Sequence, residues 1–155
     1  MKGEGNTEGQ TTSSTAQSLY KSIILEHSSK PHHFFALESY DASATKNNML
    51  CGDEVTIYCR FRGERLEEVS FTGTGCAIMK ASASLMTEAV REQTREGVLR
   101  MVAQMTDFVN GEDSALAANS PLRALAGVRG FPSRIKCALL PFQALHSALI
   151  EVPRS

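Results

Sequence analysis

The sequence predicts an α+β fold with a small antiparallel sheet of about three strands, and two observations lead there. Val55, Ile57, Cys59 and Phe61 alternate with Thr56, Tyr58, Arg60 and Arg62, the period of a half-buried strand. Gly63-Glu64 turns that strand back into a second one through Leu66, Val69 and Phe71. On both sides of this hairpin the apolar residues instead recur at helical spacing.

Length and composition bound the reading. A chain of 155 residues is long enough for one domain with a real core and too short for two. Hydrophobic residues make up 42% and charged residues 21%, the balance of an ordinary globular protein. The formal net charge of -1 carries no electrostatic footprint for nucleic acid or an acidic membrane surface. Runs such as Ile23-Ile24-Leu25 fall far short of the roughly 20 apolar residues of a membrane span. Residues 1–18 hold no apolar segment of the kind a secretory signal needs, so a cytoplasmic location is expected. In a reducing compartment, the four cysteines read as ligands, nucleophiles or core fillers rather than disulfides.

Taken in order, residues 1–16 are polar, small and aperiodic, which predicts a disordered tail ahead of a domain spanning 17–152. Leu19, Tyr20, Ile23 and Ile24 make a helical stripe over 17–29, with Ser18 as its cap and Pro31 beyond its end. His32-His33 then fall in a loop and are assigned a surface role. Residues 39–48 are an edge strand leading to Cys51-Gly52-Asp53 and the hairpin. Cys59 sits mid-strand among apolar residues and reads as a small buried hydrophobe.

After the hairpin, Gly73 and Gly75 deliver Cys76 to the start of a helix over 78–92, where the positive end of the dipole favours a thiolate. Thr94 caps the next helix, whose face is Val98, Leu99, Val102, Met105, Phe108 and Val109, and Gly111 ends it. Asn119-Ser120-Pro121 opens a short helix through Leu125, with a loop over 127–131. Pro132 opens the last helix, buried through Ile135, Leu139, Phe142, Leu145, Leu149 and Ile150, with Pro141 inside it. Cys137 lies near that helix start beside Arg134 and Lys136, again a setting that favours a thiolate.

Because antiparallel strands return to one edge, the hairpin brings Cys51 and Cys76 together. Asp53 is two residues from Cys51, close enough for both to reach one ion. Three sulfurs and a carboxylate suit tetrahedral zinc, and thiolates also hold iron–sulfur clusters. No CxxC pair is present, so spacing alone leaves zinc, a cluster and three unrelated thiols all open.

Three ordered segments narrow this. Cys51-Gly52-Asp53, Gly73-Thr74-Gly75-Cys76 with the following Ala81-Ser82-Ala83-Ser84-Leu85-Met86-Thr87, and Arg134-Ile135-Lys136-Cys137-Ala138-Leu139 resemble the signatures of the SufU/IscU family, also found as the N-terminal module of NifU-type proteins. The resemblance covers about Leu19 to Leu149. It implies helices packed on one face of the sheet, a metal site at the sheet edge, and work in iron–sulfur cluster assembly. Lys136 stands where IscU-type scaffolds usually have histidine, and the segment 112–130 is extra; both are similar to the SufU branch. By that resemblance, zinc would be held by Cys51, Asp53, Cys76 and Cys137, with Cys51 accepting sulfur from a SufS-type cysteine desulfurase and Arg134 close by. Downstream cluster-assembly proteins would be further partners. The alternative it implies is a scaffold for iron or a transient [2Fe–2S] cluster. Met49, Met79 and Lys80 depart from the family's usual residues.

Overall fold

A computed structural model describes residues 4–151, with side chains from residue 16 onward. The order is α1 (Glu4–Ser29), β1 (Ala42–Asn48), β2 (Asp53–Arg62), β3 (Arg65–Thr74), α2 (Ala77–Val90), α3 (Arg95–Val109), a 3-10 segment (Pro121–Val128) and α4 (Pro132–Glu151). The three strands form one antiparallel sheet in the order β1-β2-β3. Of the disordered tail expected over 1–16, residues 1–3 lie outside the described residues, and the backbone from Glu4 onward is already helical as part of α1.

Strand β2 is central because it alternates cleanly. Val55, Ile57 and Cys59 are fully buried on the helix-covered face, while Thr56, Tyr58 and Arg60 are half-buried on the other. That second face is held by polar and aromatic pairs: Thr45 to Thr56, Tyr40 against Tyr58, and Arg60 to Glu67 and Glu68. The turn is the expected one, with Arg62 facing Arg65 and Gly63 at φ 62. A register shift at Arg60/Phe61 follows, where the Phe61 amide donates to the Asp41 carboxylate instead.

The core lies between the sheet and the helices. Phe71, Ile57, Leu66, Phe142, Leu145 and Met86 are among its fully buried side chains, each stabilising the fold by about 1.5–3 kcal/mol. Helix α4 packs over β1 and β2, and α2 lies against α1, α4 and β3. The α2–α4 contact is made close by small residues, since Ala81, Ser82, Ala83, Ala138, Ala144 and Ala148 are all fully buried.

Several local expectations change. Ser18 is inside α1 rather than capping it, and Leu19 is 57% exposed because its side of the helix is turned from the core. Ile150, placed in the buried stripe of α4, is 60% exposed near the helix end. Thr94 does cap α3, accepting from the Gly97 amide at 3.1 Å, and Ser120 caps the 3-10 segment, which continues to Val128. His32 and His33 reach the Glu88 carboxylate of α2, at 3.5 and 2.6 Å. No helix among the described residues is long and apolar enough to cross a membrane.

Candidate metal centre

The site stands at the end of the sheet where β2 begins and β3 finishes. Asn48 closes the β1–β2 turn: its carbonyl accepts from the amides of Cys51 and Gly52 at 3.2 and 2.8 Å, and its side chain accepts from the Leu50 amide. Gly52 takes φ 76, a conformation that an L side chain rarely adopts. This turn holds Cys51 exposed and places Asp53, the first residue of β2, at 2% exposure.

A carboxylate so deep needs partners. Asp53 Oδ1 accepts from the Cys76 backbone amide at 3.1 Å, and Oδ2 lies 3.5 Å from Cys76 Sγ. Cys76 is also the N-cap of α2, its sulfur accepting from the Met79 amide at 3.5 Å. Gly75 makes this approach possible. A Cβ there would come 2.7 Å from Asp53 Oδ1 and 2.8 Å from the Met79 methyl. Neither this fit nor the packing role of Met79, fully buried here, was visible in sequence; the glycine immediately before a cap cysteine is the signal that could have shown it.

Helix α4 supplies the last thiol. Cys137 is buried, and its sulfur lies 3.8 Å from Cys51 Sγ. Ligand atoms of Cys51, Asp53 and Cys137 all fall within 4.8 Å of one another, and Cys76 joins them through its contact with Asp53. The hairpin thus brings Cys76 against Asp53, while Cys137, from the far end of the chain, reaches Cys51; Cys76 stays outside the group that lies within 4.8 Å.

The thiolate expected at Cys137 is not favoured by the protein alone. Burial pushes its pKa up, and the neighbouring groups Asp53, Cys76 and Cys51 push it the same way. The two cations expected to oppose this face elsewhere. Arg134 stacks over the Phe131 ring at 4.5 Å and lines a cleft with α1 and the 3-10 segment, while Lys136 is exposed. A bound cation would reverse the balance.

Two of the separations match those of a tetrahedral shell. Two sulfurs each about 2.3 Å from zinc lie about 3.8 Å apart, and a sulfur and an oxygen in the same shell lie about 3.5 Å apart. Those are the separations of Cys51 from Cys137 and of Cys76 from Asp53. Three soft donors and one carboxylate are also chemically suited to zinc or an iron–sulfur cluster. Cys59 stands apart, fully buried in β2, its thiol pushed up to about 12 by burial.

The NifU-like N-terminal domain family matches residues 19–138. The chain belongs to that family. It is 36% identical over 132 residues to the iron–sulfur cluster assembly scaffold protein IscU of Streptococcus pyogenes serotype M1, covering 84% of this chain and 82% of that one. It is 33% identical over 134 residues to the zinc-dependent sulfurtransferase SufU of Bacillus subtilis, covering 86% and 90%. In structure it is similar to a crystal structure from Fervidobacterium islandicum described as a scaffold protein for the SUF system, with a TM-score of 0.78, 31% identity, and 82% and 93% coverage. Membership in this family makes the chain a SufU/IscU-type domain, the type that serves iron–sulfur cluster assembly.

Proposed function

We propose that this NifU-like domain is a zinc-dependent sulfur acceptor that takes persulfide sulfur from a SufS-type cysteine desulfurase in the cytoplasm. The observation that carries the reading is that ligand atoms of Cys51, Asp53 and Cys137 lie within 4.8 Å of one another, with Cys76 Sγ 3.5 Å from Asp53 Oδ2. Similarity to the Bacillus sulfurtransferase and Lys136 at the position before the third cysteine support the SufU branch.

Zinc at these four side chains would keep the thiols deprotonated at neutral pH. Cys51 and Cys76 are both exposed, but Cys76 is the N-cap of α2 and contacts Asp53, so Cys51 is the thiol suited to meet a partner. It is exposed in a turn whose preceding residues, Met49 and Leu50, are 92% and 87% exposed. Its thiolate attacks the outer sulfur of the desulfurase persulfide, forming a new S–S bond as the old one breaks. The desulfurase cysteine leaves as a thiolate, and Cys51 carries the persulfide. Asp53, pinned by the Cys76 amide, keeps one oxygen fixed beside the sulfurs. Arg134, one helical turn before Cys137, offsets negative charge on the transferred sulfur when a docked partner displaces it from Phe131.

The test is desulfurase turnover with and without this protein. Stimulation by the wild-type protein and its loss in Cys51→Ala are expected; Cys51→Ala stimulating fully removes Cys51 from the acceptor role. A second reading, a scaffold for a transient [2Fe–2S] cluster passed to apo-proteins, draws on the name of the Streptococcus relative. It predicts brown protein from anaerobic reconstitution, with bound iron and sulfide in equal amounts.

A further inference from the structure

Helix α2 carries two fully buried serines, Ser82 and Ser84, where alanine would fill the same space. A buried hydroxyl costs stability unless it is bonded, and these two bond in opposite directions. Ser82 Oγ donates to the Ala138 carbonyl of α4 at 2.5 Å. Ser84 Oγ accepts from the His32 amide and bonds His27 Nδ1, both at 2.7 Å, on the side of α1. Residues two apart on a helix do not share a face, so one serine ties α2 to α4 and the other ties it to α1 and its loop.

The α4 end of this pair lies at the metal centre. Ala138 follows Cys137 directly, and Ser82 lies six residues along α2 from Cys76. Pro141 has no N–H to give to the carbonyl of Cys137, so the helix is deprived of a bond at that residue. The neighbouring carbonyl, Ala138, is the one Ser82 holds. We infer that Ser82 is a positioning residue for the metal centre: its hydroxyl locks α2 to α4 and thereby sets the separation of Cys76 from Cys137. Ser84 fixes the same helix but acts on the fold alone. The inference rests on the four-residue metal site proposed above.

The experiment measures zinc affinity by chelator competition, together with the absorption spectrum of the cobalt(II)-loaded protein, for wild type, Ser82→Ala and Ser84→Ala. Loss of supporting hydrogen bonds around a metal site costs about 10- to 100-fold in affinity. Ser82→Ala is expected to lose at least about tenfold and to shift the cobalt ligand-field bands, with the apo fold kept by circular dichroism. Ser84→Ala is expected to lower the melting temperature while leaving affinity and spectrum unchanged. Ser82→Cys, which keeps the packing and donates weakly, is expected to behave as Ser82→Ala and covers a failure of the alanine variant to fold. Affinity within twofold of wild type in the folded Ser82 variants, or equal losses in the Ser82 and Ser84 variants, overturns the inference. Wild type that binds no zinc, or binds it undiminished after Cys137→Ser, overturns the site reading instead.

Discussion

Cys59 and Cys137 are both buried thiols, yet the structure gives them opposite characters. Cys59 lies in the middle of β2 among Ile57, Val69 and their neighbours, and burial, only partly opposed by the Arg95 charge, pushes its pKa to about 12. Cys137 is also buried, but its sulfur meets Cys51 at 3.8 Å and shares its surroundings with Asp53 and Cys76. Its raised pKa therefore has an electrostatic part that a cation can turn around. Burial makes a thiol inert; burial beside other donors makes it a ligand.

The largest effect expected from this contrast is on metal content. Cys137→Ser should leave the purified protein without stoichiometric zinc, while Cys59→Ala should keep one ion per chain and only lose stability, by about 1 kcal/mol for a small core deletion. Metal analysis beside a denaturant titration reads both, and equal zinc loss in the two variants would break the comparison. Gly75→Ala comes next. The new methyl must displace the Asp53 carboxylate or the Met79 methyl, so zinc affinity should fall at least about tenfold with the fold retained, the scale seen when a ligand's support is lost. A competition titration decides it.

The pH dependence of binding is a finer test. Since Cys137 holds its proton well above the ordinary thiol range, zinc must displace that proton, and affinity should rise with pH across 6–8. Affinity independent of pH would contradict the ligand assignment. After chelation, Cys51 and Cys76 should alkylate at pH 8 while Cys59 stays unmodified, as peptide mass mapping would show.

The smallest effect lies on α1, where His27 bonds Ser84 of α2. Burial, then the charge of His32, lowers the His27 pKa, while Glu26 and Glu88 pull it up by less. The folded protein therefore resists protonating His27. Its stability contribution is complete above the ordinary histidine value of about 6.5 and is lost as pH falls through the lowered folded value. The melting temperature should drop between pH 7.5 and 5, and less steeply in His27→Gln.

Much of this was legible in the sequence because it depends on period and punctuation. The alternation through Val55–Arg62 fixed the central strand, and the two-residue turn made its ends meet. Thr94 announced its cap through residue type, and Asn119-Ser120-Pro121 announced where the 3-10 segment opens. What sequence reading missed depends on three-dimensional direction. Arg134 and Lys136 flank Cys137 in the chain, yet one stacks on Phe131 and the other faces solvent, so adjacency gave the wrong electrostatics. Ile150 and Leu19 matched helical stripes whose ends lie beyond the surfaces that would cover them. The exchange between Asp53 and the Cys76 amide has no periodic trace, because it joins residues on different elements across the space left by Gly75.

The central claim is that four side chains from β2, its preceding turn, the α2 start and α4 surround a single ion. Zinc K-edge X-ray absorption on the loaded wild-type protein tests it most directly. Three sulfur neighbours near 2.3 Å and one oxygen near 2.0–2.2 Å are predicted. A shell containing histidine nitrogen, or no more than two sulfurs, would contradict it.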